Sequence, residues 1–177
     1  MTSPNRAILS RMGRGTIHHV GTCGVHASQG DVFVTLVRQP VTLEFLRAVH
    51  GPAADHQRRY GGNARSLTVL EPSAITTNTS PEIRRETEIV SSQYRSASTA
   101  IAVEGEGFAA AAIRTLIAGI HLVRRGHGQF KIVGTARDAV RWLVAQPAPQ
   151  GAEANDEKTL MEFVERVRRA EAKDVTR

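Results

Sequence analysis

The sequence predicts an α/β fold: a mixed sheet of about five strands with an N-terminal antiparallel hairpin, helices packed on the sheet, and a C-terminal amphipathic helix. Three observations predict it. Short β-branched runs at 32–37, 67–70, 99–103 and 130–133 alternate with stretches whose apolar residues recur every three to four positions. The first two β-type runs are joined by only Ser28-Gln29-Gly30-Asp31, long enough for a hairpin and too short for a parallel crossover. A chain of 177 residues, 41% apolar and 23% charged, is large enough to bury a core and too apolar for general disorder.

Residues 1–15 combine Ser, Pro, Asn, Gly and three arginines and read as a flexible leader. Order is expected from Thr16. Thr16 to Val25 reads as one β-type run broken by Gly21 and Gly24, paired with Val32 to Val37. Thr42 is placed to cap a helix with Leu43, Leu46 and Val49 on one face, and Pro52 to open a second helical stretch that runs to Tyr60. Gly61-Gly62-Asn63 ends it, and Leu67 to Leu70 forms a strand that stops at Pro72. Ser80-Pro81-Glu82 combines a capping hydroxyl, a proline at the first helical position and a carboxylate in the first turn, and Ile83, Thr87, Val90 and Tyr94 follow as one stripe. Thr99 to Val103 is the next strand. The longest helical pattern runs from Phe108 to Arg125, with Ala111, Ile113, Leu116, Ile117 and Ile120 on its buried side. Phe130 to Val133 and a helix capped by Thr135 complete a domain over 16–146. A Pro/Gly/Ala linker spans 147–155, and 156–173 reads as an amphipathic helix carrying Leu160, Phe163, Val164 and Val167 on one stripe.

The net charge of +6 is almost wholly arginine, since only three of 23 basic residues are lysines. It is spread along the chain, without the clustered basic residues and interleaved aromatics of a nucleic-acid binder, so nucleic acid is not the expected partner. One cysteine excludes a disulfide framework and a four-cysteine zinc site within this chain. No run of about 18 apolar residues spans a membrane, and the first thirty residues lack a signal-peptide core, so no membrane association and a cytoplasmic location are expected.

His18, His19, Cys23 and His26 lie within nine residues, but adjacent histidines on a strand point to opposite faces, which argues against a shared metal. Nothing around Cys23 marks an activated thiolate. Gly105-Glu106-Gly107 between a strand and a helix lacks the third glycine of a dinucleotide loop and the Gly-Lys-Ser/Thr ending of a P-loop, and Glu104 and Glu106 would repel phosphate. It reads as a turn that seats Phe108. No nucleophile elbow or His-Glu-x-x-His motif is present, so neither catalysis nor a cofactor is expected.

The order β-β-α-β-α-β-α-β-α is carried by Val32-Phe33-Val34-Thr35 followed by Thr42 at a helix start, Leu67 to Leu70, and Glu104-Gly105-Glu106-Gly107-Phe108-Ala109-Ala110-Ala111-Ala112-Ile113-Arg114. It resembles the STAS fold of anti-sigma factor antagonists, and more closely the STAS/CRAL-TRIO-like bacterial proteins, over about 16–146. In the antagonists a serine at the start of the helix after the third strand is phosphorylated within an Asp-Ser-Ser-Gly type sequence. Here Leu70-Glu71-Pro72-Ser73-Ala74-Ile75 stands in that place, and Ser73 or Ser80 approximates the position. The resemblance implies a non-enzymatic regulatory or scaffolding module acting through protein–protein contacts, with Ser73, Thr79 and Ser80 as exposed phosphorylation or partner-contact residues. The other implied reading is a small-ligand or lipid binder of CRAL-TRIO type, which would need a closed apolar pocket. The stripe Leu160, Phe163, Val164, Val167 serves self-association in one reading, and folds back on its own domain in the other.

Overall fold

The structure is a computed structural model that describes residues 15–75, 80–107, 110–115, 128–149, 155–171 and 174–175. Its sheet has six strands, β1 (Thr16–Gly21), β2 (Gly24–Gln29), β3 (Val32–Val37), β4 (Arg65–Leu70), β5 (Ser98–Val103) and β6 (Gln129–Val133), hydrogen-bonded in chain order. β1, β2 and β3 are antiparallel neighbours, and β3 to β6 run parallel.

The strand count corrects the expected five. The run from Thr16 to Val25 turns at Thr22-Cys23, so the N-terminal hairpin is the second half of a three-stranded meander. Gly24 makes the turn possible: its φ is +157°, and a Cβ there would collide with the carbonyl oxygen of Leu36.

Between the parallel strands lie α1 (Leu43–Ala48), α2 (His50–Tyr60) and α3 (Pro81–Gln93), with residues 110–115 helical after β5. Thr42 caps α1 by accepting from the Phe45 N–H, and Ser80 caps α3 by accepting from Ile83. α2 begins at His50, so Pro52 sits inside its first turn. After β6 come α4 (Ala136–Val144), capped by Thr135, and α5 (Glu157–Arg168), capped by Asp156. Of the expected buried stripe on the helix after β5, Ala111 is exposed and its neighbour Ala110 is buried, while Leu116, Ile117 and Ile120 lie outside the described residues.

α4 and α5 cover one face of the sheet. The main core joins Val25, Ala27, Val34, Leu36, Leu67, Val69, Ala100 and Ala102 from the strands to Ala139, Val140 and Leu143 of α4 and Leu160, Phe163, Val164 and Val167 of α5. At its lower end Arg65, 1% exposed, forms a two-pronged pair with the fully buried Asp31. The remaining guanidinium N–H groups of Arg65 reach the carbonyls of Leu143 and Gln146, and Asn155 donates to Asp31 Oδ1 and to Gln29 O. This polar cluster ties β3, β4, the end of α4 and the entry to α5 together, which is how a buried charge pair is tolerated.

The opposite face carries smaller clusters. Phe33 packs with Val49, Ala53, Val90 and Tyr94, and Cys23 packs with Val37 and Phe45. His18 and His19 do not point to opposite faces. A bulge between Ile17 and His19 inserts His18 as an extra residue, so His18 stacks on Phe33 while His19 lies against His26 and Phe45, all on this face.

Candidate functional site

β3, β4 and β5 end side by side, with Val37 beside Leu70 and Leu70 beside Val103. The residues that follow form one edge: Arg38, then Glu71-Pro72-Ser73, then Glu104 to Gly107, with Gly134 and Thr135 after β6. Loops at strand ends lie on the surface and carry binding residues more often than the strands they connect.

Charge is dense at this edge and is paired within it. Arg168, at the end of α5, donates to Glu71 at 2.8 Å and to Glu104 at 2.6 Å, and lies 3.4 Å from Glu165. Glu104 also accepts from the Ala136 N–H at 3.2 Å, so a carboxylate of the chain itself occupies the N-terminus of α4. Arg114 donates to the carbonyls of Val103 and Gly105, both at 2.9 Å, and Arg38 donates to the carbonyls of Val167, Arg168 and Ala170 at the end of α5. These groups stitch strand ends to helix ends and leave the outer loop residues to face solvent.

Ser73 is one of those outer residues. It is exposed, and its hydroxyl donates to the Arg38 carbonyl. Ser80 is exposed at the N-cap of α3, where the Glu82 backbone N–H and the Ser80 hydroxyl hold the Glu82 carboxyl below the usual carboxylate range. One negative charge therefore already sits at this helix start, and a phosphate on Ser80 would meet it as well as Arg84 and Arg85 one turn on. Thr79, like Thr76 and Thr77, lies outside the described residues. Leu160, Phe163, Val164 and Val167 are buried, 0–3% exposed, against the sheet of their own chain. Self-association through that stripe would require α5 to leave the core.

The structure gathers polar groups that the sequence reading did not assemble. His50 Nε2 donates to Glu86 Oε1 at 2.7 Å, its Nδ1 lies 2.9 Å from the Tyr94 hydroxyl, and that hydroxyl also reaches the His50 carbonyl at 3.1 Å. The contributing residues are 36 and 44 positions apart, so no local spacing could have marked them. His26, 2% exposed, donates from Nε2 to the Phe45 carbonyl at 2.9 Å, which leaves Nδ1 to accept from Thr35. Burial pushes its pKa down to about 4, and burial lowers those of His18 and His56 as well. The Cys23 thiol is buried and donates to Thr42 Oγ1 at 3.4 Å. Among the described residues, no group of three or more His, Cys, Asp or Glu side chains is arranged to hold a metal ion.

An open groove of about 360 Å³ lies at the other end of the sheet, between Asn63, Ala97, Ser98, Gln129 and the 147–149 segment. Amide, hydroxyl and backbone groups share its lining with two prolines, which differs from the apolar enclosure an acyl chain fills. Among the described residues, no helix is long and apolar enough to cross a membrane. Compared with protein-family models, curated proteins and solved structures, the chain gives no match.

Proposed function

We propose that this chain is a non-enzymatic regulatory or scaffolding module of STAS-like type, and that it meets its protein partner at the carboxyl edge of its parallel strands. The observation that carries the reading is the edge itself: Ser73 is exposed beside an array in which Arg38, Arg114, Arg168, Glu71 and Glu104 are engaged with one another or with backbone. Such an edge offers a shaped, preorganised surface, and its acids and guanidinium groups are held by structural partners instead of being poised for proton transfer. The sequential strand order with helices between the parallel strands accords with the resemblance that suggested the class. Modification at Ser73 would regulate this contact by adding about −1.5 to −2 charge to the edge, and Thr79 and Ser80 are the other candidate positions.

The test is affinity capture of the full chain from its native host, with one bulky substitution at each end of the sheet. Ser73→Trp is expected to abolish recovery of the co-purifying protein and Gln129→Trp to leave it unchanged. Loss with Gln129→Trp alone would place the contact at the groove end and defeat the proposal. Phosphopeptide analysis of the same material addresses the switch: Ser73, Thr79 and Ser80 found unmodified under all growth conditions would remove it.

A further inference from the structure

We infer that α3 is a releasable element: it opens from the domain as a unit while the sheet, α4 and α5 remain folded, with the Glu86–His50–Tyr94 cluster as its catch. The inference stands apart from the edge-docking reading and fails or survives independently of it.

α3 is held weakly by burial. None of its 13 residues is buried, whereas α5 buries four of 12 and α4 four of nine. Of its half-buried apolar residues Ile83, Ile89 and Val90, Val90 packs with Tyr94, just beyond the helix end, against Phe33, Val49 and Ala53. Part of its polar hold converges on one histidine. Glu86, in the middle of α3, accepts from His50 Nε2 at 2.7 Å and lies 4.0 Å from Arg47, and Tyr94 shares its hydroxyl between His50 Nδ1 and the His50 carbonyl.

Elements with few buried apolar contacts open at free energies below that of global unfolding, and they do so cooperatively along a helix because its backbone bonds break together. The chain is fixed again just past Tyr94, where the Ala97 N–H donates to the Ala64 carbonyl at 2.8 Å, so opening pivots between Tyr94 and Ala97. Release would alter what the molecule displays, uncovering Phe33, Val49 and Ala53 as an apolar floor with Arg47 and His50 at its rim. The catch and the floor come from separate side chains, so the catch can be weakened with the packing left in place.

Native-state hydrogen exchange on the full chain tests this, read for α3 and α5 in the same sample. Amides of α3 are expected to exchange at least about 100-fold faster than those of α5. Tyr94→Phe keeps the ring and removes the hydroxyl, and Glu86→Gln keeps the shape and removes the charge. Each is expected to speed α3 exchange on the order of tenfold with α5 unchanged. Equal protection of α3 and α5 in the unsubstituted chain would overturn the inference. So would variants that leave α3 unaltered or that accelerate α5 as much as α3.

Discussion

The two faces of the sheet are built on different principles. Under α4 and α5 the strands contribute Val25, Val34, Leu36, Leu67 and Val69, all fully buried, and the helices answer with Val140, Leu143, Leu160 and Val167. Under α1 to α3 the same strands contribute His26, Phe33, Thr35 and Val37, and the covering helices are held by histidine hydrogen bonds and small aromatic clusters. Among the described residues, the first face has the dense apolar packing that carries global stability, and the second has the sparser, more polar packing from which movable elements are drawn. The sequence foreshadows the contrast in its helices, since the stripe of α5 is Leu, Phe, Val and Val, and that of α3 contains a threonine and a tyrosine.

Removing α5 is the most drastic way to break this comparison. A chain ended after Gln146 loses four buried side chains worth roughly 1.5–3 kcal/mol each, comparable with the whole stability of a typical domain. It is expected not to fold, as read by the loss of a cooperative thermal transition. Next in size is Arg65→Ala, which strands Asp31 without its charge partner at 0% exposure and is expected to cost about 3–5 kcal/mol in urea unfolding. A cost below about 1 kcal/mol would mean that water reaches Asp31. Equivalent truncations then weigh the two faces directly: Leu160→Ala is expected to cost about 3 kcal/mol of global stability, and Val90→Ala about 1 kcal/mol with exchange changes confined to α3.

Acid acts mainly on the second face. The folded-state pKa of His26 lies at about 4 and its unfolded value near 6.5, so between these limits the unfolded chain binds more protons. The stability that His26 contributes as a neutral imidazole is therefore complete above pH 6.5 and is lost as pH falls toward 4. The full effect is about 3 kcal/mol, and His18 and His56, lowered in the same direction, add to it. His26→Gln should flatten this part of the pH profile, and an unchanged profile would assign the effect elsewhere. The smallest effect is expected from Ser80→Ala, which removes the α3 cap for about 1 kcal/mol, felt locally as helix fraying.

Features set by neighbours in the chain were legible in the sequence. Thr42, Ser80 and Thr135 announced helix starts because capping needs only a short polar side chain and an N–H two or three residues on. The β3 to β6 runs were legible as β-branched segments bounded by turns. The β1–β2 hairpin was not, because its turn is Thr-Cys between glycines, without the Asn-Gly or Asp-Gly signal, and the bulge at His18 shifts the pleat in a way no alternation pattern records. The Asp31–Arg65 pair, the Arg168 network and the His50 catch join residues 34 to 97 positions apart, and they follow from topology that only the folded sheet specifies. Ser73 was legible as a loop hydroxyl, but its place beside Arg38 depends on β3 and β4 being neighbours.

The most direct measurement is amide hydrogen exchange of the full chain alone and bound to a protein recovered with it by affinity capture. The account predicts new protection at residues 71–75 and 104–107, where the strands end, and none at Ala97, Ser98, Gln129 and Ala148 around the groove. Protection confined to the groove, with the carboxyl edge exchanging as in the free chain, would contradict it.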